Sequence, residues 1–97
     1  MSGKALAHEI IERFGTKDVG IICKNISVKI CYASWNPSTI GEFDRKTNTI
    51  TINLNAKIDQ KQIIAHELGH YFIYQKGIKL SRVEEEKVVE EFAKSFY

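Results

Sequence analysis

Apolar residues recur along this chain in two periods, and the switches between them mark its elements. Leu6, Ala7, Ile10, Ile11 and Phe14 fall at helical spacing and Gly15 follows as a stop, which predicts a helix over 3–14. Asp18 to Lys24 carries Gly20 inside an apolar stretch and fits only a short helical turn. Ile26, Val28, Ile30 and Tyr32 then alternate with polar residues, the period of a half-buried strand. Trp35-Asn36-Pro37-Ser38-Thr39 has loop chemistry, with the indole expected to pack beneath the loop. Ile40 to Phe43 and Thr49 to Leu54 flank the polar turn Asp44 to Asn48 as a hairpin. In its second arm Ile50, Ile52 and Leu54 should face inward, and Thr49, Thr51 and Asn53 outward.

Two further helices follow. Asp59 reads as an N-cap, with Gln62 completing a capping box. Beyond it Ile63, Ile64, Ala65, Leu68, Tyr71 and Phe72 leave a helix apolar nearly all round, which must be buried. Lys76-Gly77 ends it, with Gly77 suited to the left-handed C′ position. Ser81 and Glu84 form a second capping box and open a last helix over 82–97, whose apolar stripe is Val88, Val89, Phe92, Ala93 and Phe96. The order helix, strand, hairpin, helix, helix predicts an α+β fold with a small, mostly antiparallel sheet.

Composition narrows the class without naming it. Ninety-seven residues, 43% apolar and 27% charged, describe one ordinary globular domain over 1–97. A domain of that size buries only about 60–65% of its unfolded surface, so a metal or partner would add usefully to its stability. A net charge of +2 with scattered basic residues argues against a nucleic-acid partner. No window approaches the roughly 18 apolar residues of a membrane span. The N-terminal run has no long uncharged apolar stretch either, so a cytoplasmic location is expected. Cys23 and Cys31 are then expected to be reduced and core-filling, and neither has a Cys or His at zinc-finger spacing.

The chemistry concentrates at His66-Glu67-Leu68-Gly69-His70. Positions i and i+4 stack on one helix face, so both imidazoles can close on a single metal ion. Glu67 lies about 100° round the turn, near the ion without binding it, where a general base for an activated water must stand. Two histidines are not a complete set, since a catalytic zinc usually takes three protein ligands and leaves one position open. The last helix offers Glu84, Glu85, Glu86, Glu90 and Glu91. Glu85 and Glu86 lie closest to its apolar stripe, and periodicity does not separate them. Taken alone, such an acidic run is more often a solvated face, and His-Glu-x-x-His can arise by chance on any helix. The buried helix, the alternating strand before it and the capped acidic helix after it weigh against both.

A resemblance extends this reading. The run from Gly69 to Phe92 resembles the gluzincin metallopeptidases, in which a His-Glu-x-x-His helix is followed by one bearing a glutamate ligand. Glu86-Lys87-Val88-Val89-Glu90-Glu91-Phe92-Ala93 is similar to the Glu-x-x-Ala-Asn-x-Phe-Ala of the ImmA/IrrE type, and less so to the Glu-x-x-Ala-Asp of HtpX-like enzymes. It departs at Val89 and Glu90, where those patterns have Ala and Asn or Asp. The hairpin Gly41 to Leu54 resembles the strand preceding the peptidase helix, so the likeness spans roughly residues 40–93. The chain's shortness resembles the minigluzincins, minimal and often latent scaffolds. The resemblance implies Glu86 as third ligand, Glu90 supporting a histidine, one Zn2+ per chain and hydrolysis of a protein or peptide substrate. Tyr74, with His8, Tyr71 and Tyr97 as alternatives, is a candidate oxyanion donor. Thr49, Thr51 and Asn53 would hold an extended substrate if their strand is an exposed edge. The competing expectation is a catalytically weak metal-binding module that docks a partner protein. A closed structural zinc site would need a fourth ligand, and no Cys or His is placed to supply it.

Overall fold

Four side chains start the four helices. In the computed structural model, which describes all 97 residues, Ser2, Asp18, Asp59 and Ser81 accept hydrogen bonds from Ala5, Ile21, Lys61 and Glu84 amides respectively. Each cap is worth about 1 kcal/mol by satisfying an amide that the first helical turn leaves free. They open α1 (Gly3–Phe14), α2 (Val19–Asn25), α3 (Gln60–Gln75) and α4 (Arg82–Lys94). Glu84 returns the bond to Ser81, so the capping box expected at α4 is present. At α3 the Gln62 side chain makes no such return, and Asp59 caps alone. Gly15 and Gly77 both sit at φ +67, the left-handed stop their positions called for. The last helix closes at Lys94 rather than running to 97, and Phe96 folds back onto Phe92 with ring centroids 4.9 Å apart.

The strands are β1 (Lys29–Ala33), β2 (Gly41–Asp44) and β3 (Thr49–Asn53), in the order β1-β3-β2. β2 and β3 form the expected antiparallel hairpin. β1 starts later than the alternation from Ile26 suggests, because Ile26 caps α2 and Ser27, at φ 58, turns the chain before pairing begins. It then joins β3 in parallel, Ile30 opposite Ile50, so the sheet is mixed rather than mostly antiparallel. The consequence for function is a correction. Thr49, Thr51 and Asn53 belong to the central strand, with neighbours hydrogen-bonded on both sides, and cannot take up a substrate strand.

Asn53 also faces a different task. Its side chain lies on the polar side of β3 as the alternation required, but there the β1–β2 connection crosses over it. The amide nitrogen donates to Asn36 and Thr39 carbonyls at 2.9 and 2.6 Å, and the amide oxygen accepts from Trp35 and Asn55 amides at 3.0 Å. All four hydrogen-bonding positions of the carboxamide are filled, which is why so polar a group is tolerated fully buried. Leu54, one residue on, leaves the sheet and is exposed.

α3 is the hub. It lies on β2 and β3 and also packs against α2 and α4, while α1 covers α4. That explains a helix apolar on nearly every side. Ile50, Ile52, Ile63, Leu68, Phe72, Val89 and Phe92 fill the space between these layers. Gly69 lets α4 come close: a Cβ there would lie 3.2 Å from Phe92 Cδ1 and from both Val89 γ-carbons. Cys23 is in this core, its thiol pushed up to about 12 by burial, whereas Cys31 stands exposed on β1 and is not core-filling. No helix is long and apolar enough to cross a membrane.

Candidate metal centre

Helix geometry puts His66 and His70 one above the other on α3, ring centroids 5.2 Å apart, and the close α3–α4 contact at Gly69 brings a carboxylate to them. That carboxylate is Glu86. Its Oε1 lies 3.2 Å from His70 Nε2 and its Oε2 lies 3.6 Å from His66 Nε2. One ligand atom from each of the three residues falls within 4.8 Å of the others. Bonds of about 2.1 Å to a tetrahedral zinc would put ligand atoms about 3.4 Å apart, and the two Glu86–histidine gaps of 3.2 and 3.6 Å lie on either side of that spacing. His66, His70 and Glu86 could therefore hold a metal ion.

Protonation chemistry favours that use. His70 Nδ1 is 2.5 Å from Glu85 Oε2, and a carboxylate can only accept, so the imidazole proton belongs on Nδ1. In the neutral ring Nε2 then presents a lone pair to Glu86 Oε1, which presents another. Two lone pairs facing each other at 3.2 Å are repulsive until a cation stands between them. His66 is held below the ordinary histidine value, chiefly by burial and further by His70, against the opposing pull of Glu86 and Glu90. Its neutral, metal-accepting form is thereby favoured, and at 3.6 Å it makes no hydrogen bond with Glu86. The site is also open. The histidine side chains are 20% and 21% exposed, but Glu86 is 52% exposed, so solvent reaches the ligand set from one side.

Glu67 stands on the neighbouring face of α3 and is buried. Burial pushes its carboxyl up to about 7; His70 opposes the shift, and the Glu86 and Glu42 charges reinforce it. A Cβ on Gly41 would lie 3.5 Å from Glu67 Oε2, so the start of edge strand β2 closes over this carboxylate. Glu67, His70, Glu42, Phe43, Arg45 and Tyr74 face a cleft of about 470 Å³.

The acidic helix divides its labour in a way periodicity left open. Glu86 reaches both imidazoles and Glu85 braces one of them. Glu90, expected as the supporting carboxylate, is exposed and hydrogen-bonds to neither histidine; it reaches His66 through its charge alone. Among the oxyanion candidates Tyr74 lines the cleft. Tyr71 is buried against the Phe43 and Phe72 rings. His8 and Tyr97 line a different depression, with Lys4, Lys17 and Lys94. Arg45, unremarked in the sequence because a turn arginine is commonplace, lies over the Tyr74 ring at 5.1 Å. No protein-family model matches the chain, and no curated protein matches it either.

Proposed function

We propose that this chain is a zinc-dependent peptidase of gluzincin type, with His66, His70 and Glu86 as metal ligands and Glu67 as general base. The observation that carries the reading is one arrangement: three neutral-or-anionic donors converging on an open face, with a buried, proton-ready carboxyl directly beside them. A closed structural site would hide its ligands and have no use for Glu67.

A zinc ion bound there supplies Lewis acidity, acidifying a water and polarising a carbonyl. The chain's own residues do the rest. Glu67 takes a proton on its carboxylate and returns it to the departing amine, and in the metal-free chain burial already raises this carboxyl's proton affinity to about 7. Glu85 keeps the His70 proton on Nδ1 and fixes the ring's orientation. Tyr74 lines the cleft, and its hydroxyl would donate to the oxyanion that develops there. The free edge of β2, beside Glu67 and not β3, offers main-chain groups to an extended peptide.

Glu67→Ala tests the reading. The variant should keep its zinc, measured by metal analysis after gel filtration, while hydrolysis of an unfolded protein such as casein falls by about 10²–10⁴-fold. A zinc-loaded wild type that cleaves nothing, or a variant that cleaves like wild type, contradicts it.

A further inference from the structure

The cleft beside Glu67 and His70 does not end at Tyr74. It shares Arg45, Tyr74 and Glu85 with an adjoining hollow of about 350 Å³, so the two form one trough. The hollow has an apolar floor in Ile73, Ile78 and Leu80, and two cations stand on it, Arg45 and Lys79. Neither cation forms an ion pair within the chain. The one acid lining the hollow, Glu85, has its Oε2 committed to His70. Stacking over Tyr74 holds the Arg45 guanidinium at the junction of the two parts. Charge therefore changes along the trough. Glu42 and Glu67 line only its metal end, Lys79 and the apolar floor only the other, and Arg45 and Glu85 stand between them.

We infer that the trough selects peptides with a carboxylate close to the bond under attack, next to an apolar side chain, with Arg45 as the specificity-determining contact. The apolar side chain covers Ile73, Ile78 and Leu80, and the carboxylate meets the fork of Arg45 with Lys79 beside it. An acidic side chain and a peptide's own C-terminus offer this same chemistry. A basic peptide would be rejected at Arg45. The assignment rests on the peptidase reading for its substrate class, and it names the feature by which that substrate is chosen.

The test separates the two. A panel of fluorescent peptides of one sequence carries Glu, Gln or Lys next to a leucine, each with a free or an amidated C-terminus. Binding is read by anisotropy on zinc-loaded Glu67→Ala protein, and cleavage on zinc-loaded wild type. Glu peptides should bind about tenfold tighter than Gln peptides, with Lys peptides weakest. Adding Arg45→Glu should invert that order and Arg45→Gln should flatten it. Lys17→Glu, an equal charge change lining other cavities, should leave it intact. If only the free C-terminus matters, the carboxylate is the chain end; if amidated Glu peptides keep their advantage, it is the side chain. Equal binding of all six peptides, or a preference unmoved by Arg45→Glu, overturns the inference, even where wild type cleaves every peptide. Charge-selective binding without cleavage contradicts the peptidase reading and leaves the recognition by Arg45 standing.

Discussion

Glu67 shows how much one residue's surroundings can be worth. Its identity and spacing announced a base; its burial, which the sequence could suggest but not measure, decides its proton affinity. The folded chain holds a proton on Glu67 up to about pH 7, whereas an unfolded carboxyl releases it near 4.5. Between those values the unfolded state binds fewer protons, so metal-free stability falls as pH rises through that window and the full cost is present above it. Glu67→Gln keeps the shape and removes the charge. Metal-free Glu67→Gln should therefore be more stable than wild type above pH 7, by on the order of 3 kcal/mol, and no more stable below about 4.5. Urea unfolding of the two apo proteins at both pH values reads this directly; an equal difference at both would contradict it. The division between Glu85 and Glu86 was not legible, because both lie beside the same stripe, and only the placement of α4 against α3 shows that Glu86 approaches both imidazoles and Glu85 one.

Among the elements, α1, α3 and α4 were legible because apolar spacing agreed at each with a cap or a glycine stop, whereas α2, broken by Gly20, was read only as a short helical turn. The sheet was read less well. Alternation reports which face a side chain takes but not which strand lies beside it, so nothing in Thr49 to Asn53 revealed that β1 would add in parallel and make β3 central. Asn53 sits on the face the period gave it, yet is buried by a loop that local sequence does not place. Asn53→Ala would strip partners from two carbonyls and two amides, costing about 3 kcal/mol and lowering the melting temperature by roughly 12–20 °C. A change of a degree or two in calorimetry would refute that role. The α3–α4 contact makes a second demand. Gly69→Val adds branches where even a Cβ lies 3.2 Å from Val89 and Phe92. Overpacking of this kind costs about 1–3 kcal/mol, and it should weaken zinc binding as well, since Glu86 rides on the helix being pushed away. Zinc affinity unchanged in a destabilised Gly69→Val protein would uncouple the contact from the site.

For the molecule as a whole, the other two helices and a small sheet serve to bring α4 against α3 with its acids facing two imidazoles. A domain this small has a limited core, so an ion joining two helices should contribute to folding itself. The resemblance to gluzincins implied Glu86, and its carboxylate stands near both histidines in a group that could hold a metal ion. Competition with a chromophoric chelator tests this centre most directly, comparing wild type, Glu86→Ala and Glu85→Ala at neutral pH. Wild type should bind one zinc ion per chain. Glu86→Ala should lose it, and Glu85→Ala should keep the stoichiometry with affinity lowered about 10–100-fold, as expected when only a ligand's brace is removed. Tight binding that survives Glu86→Ala, or that vanishes with Glu85→Ala instead, would contradict the assignment.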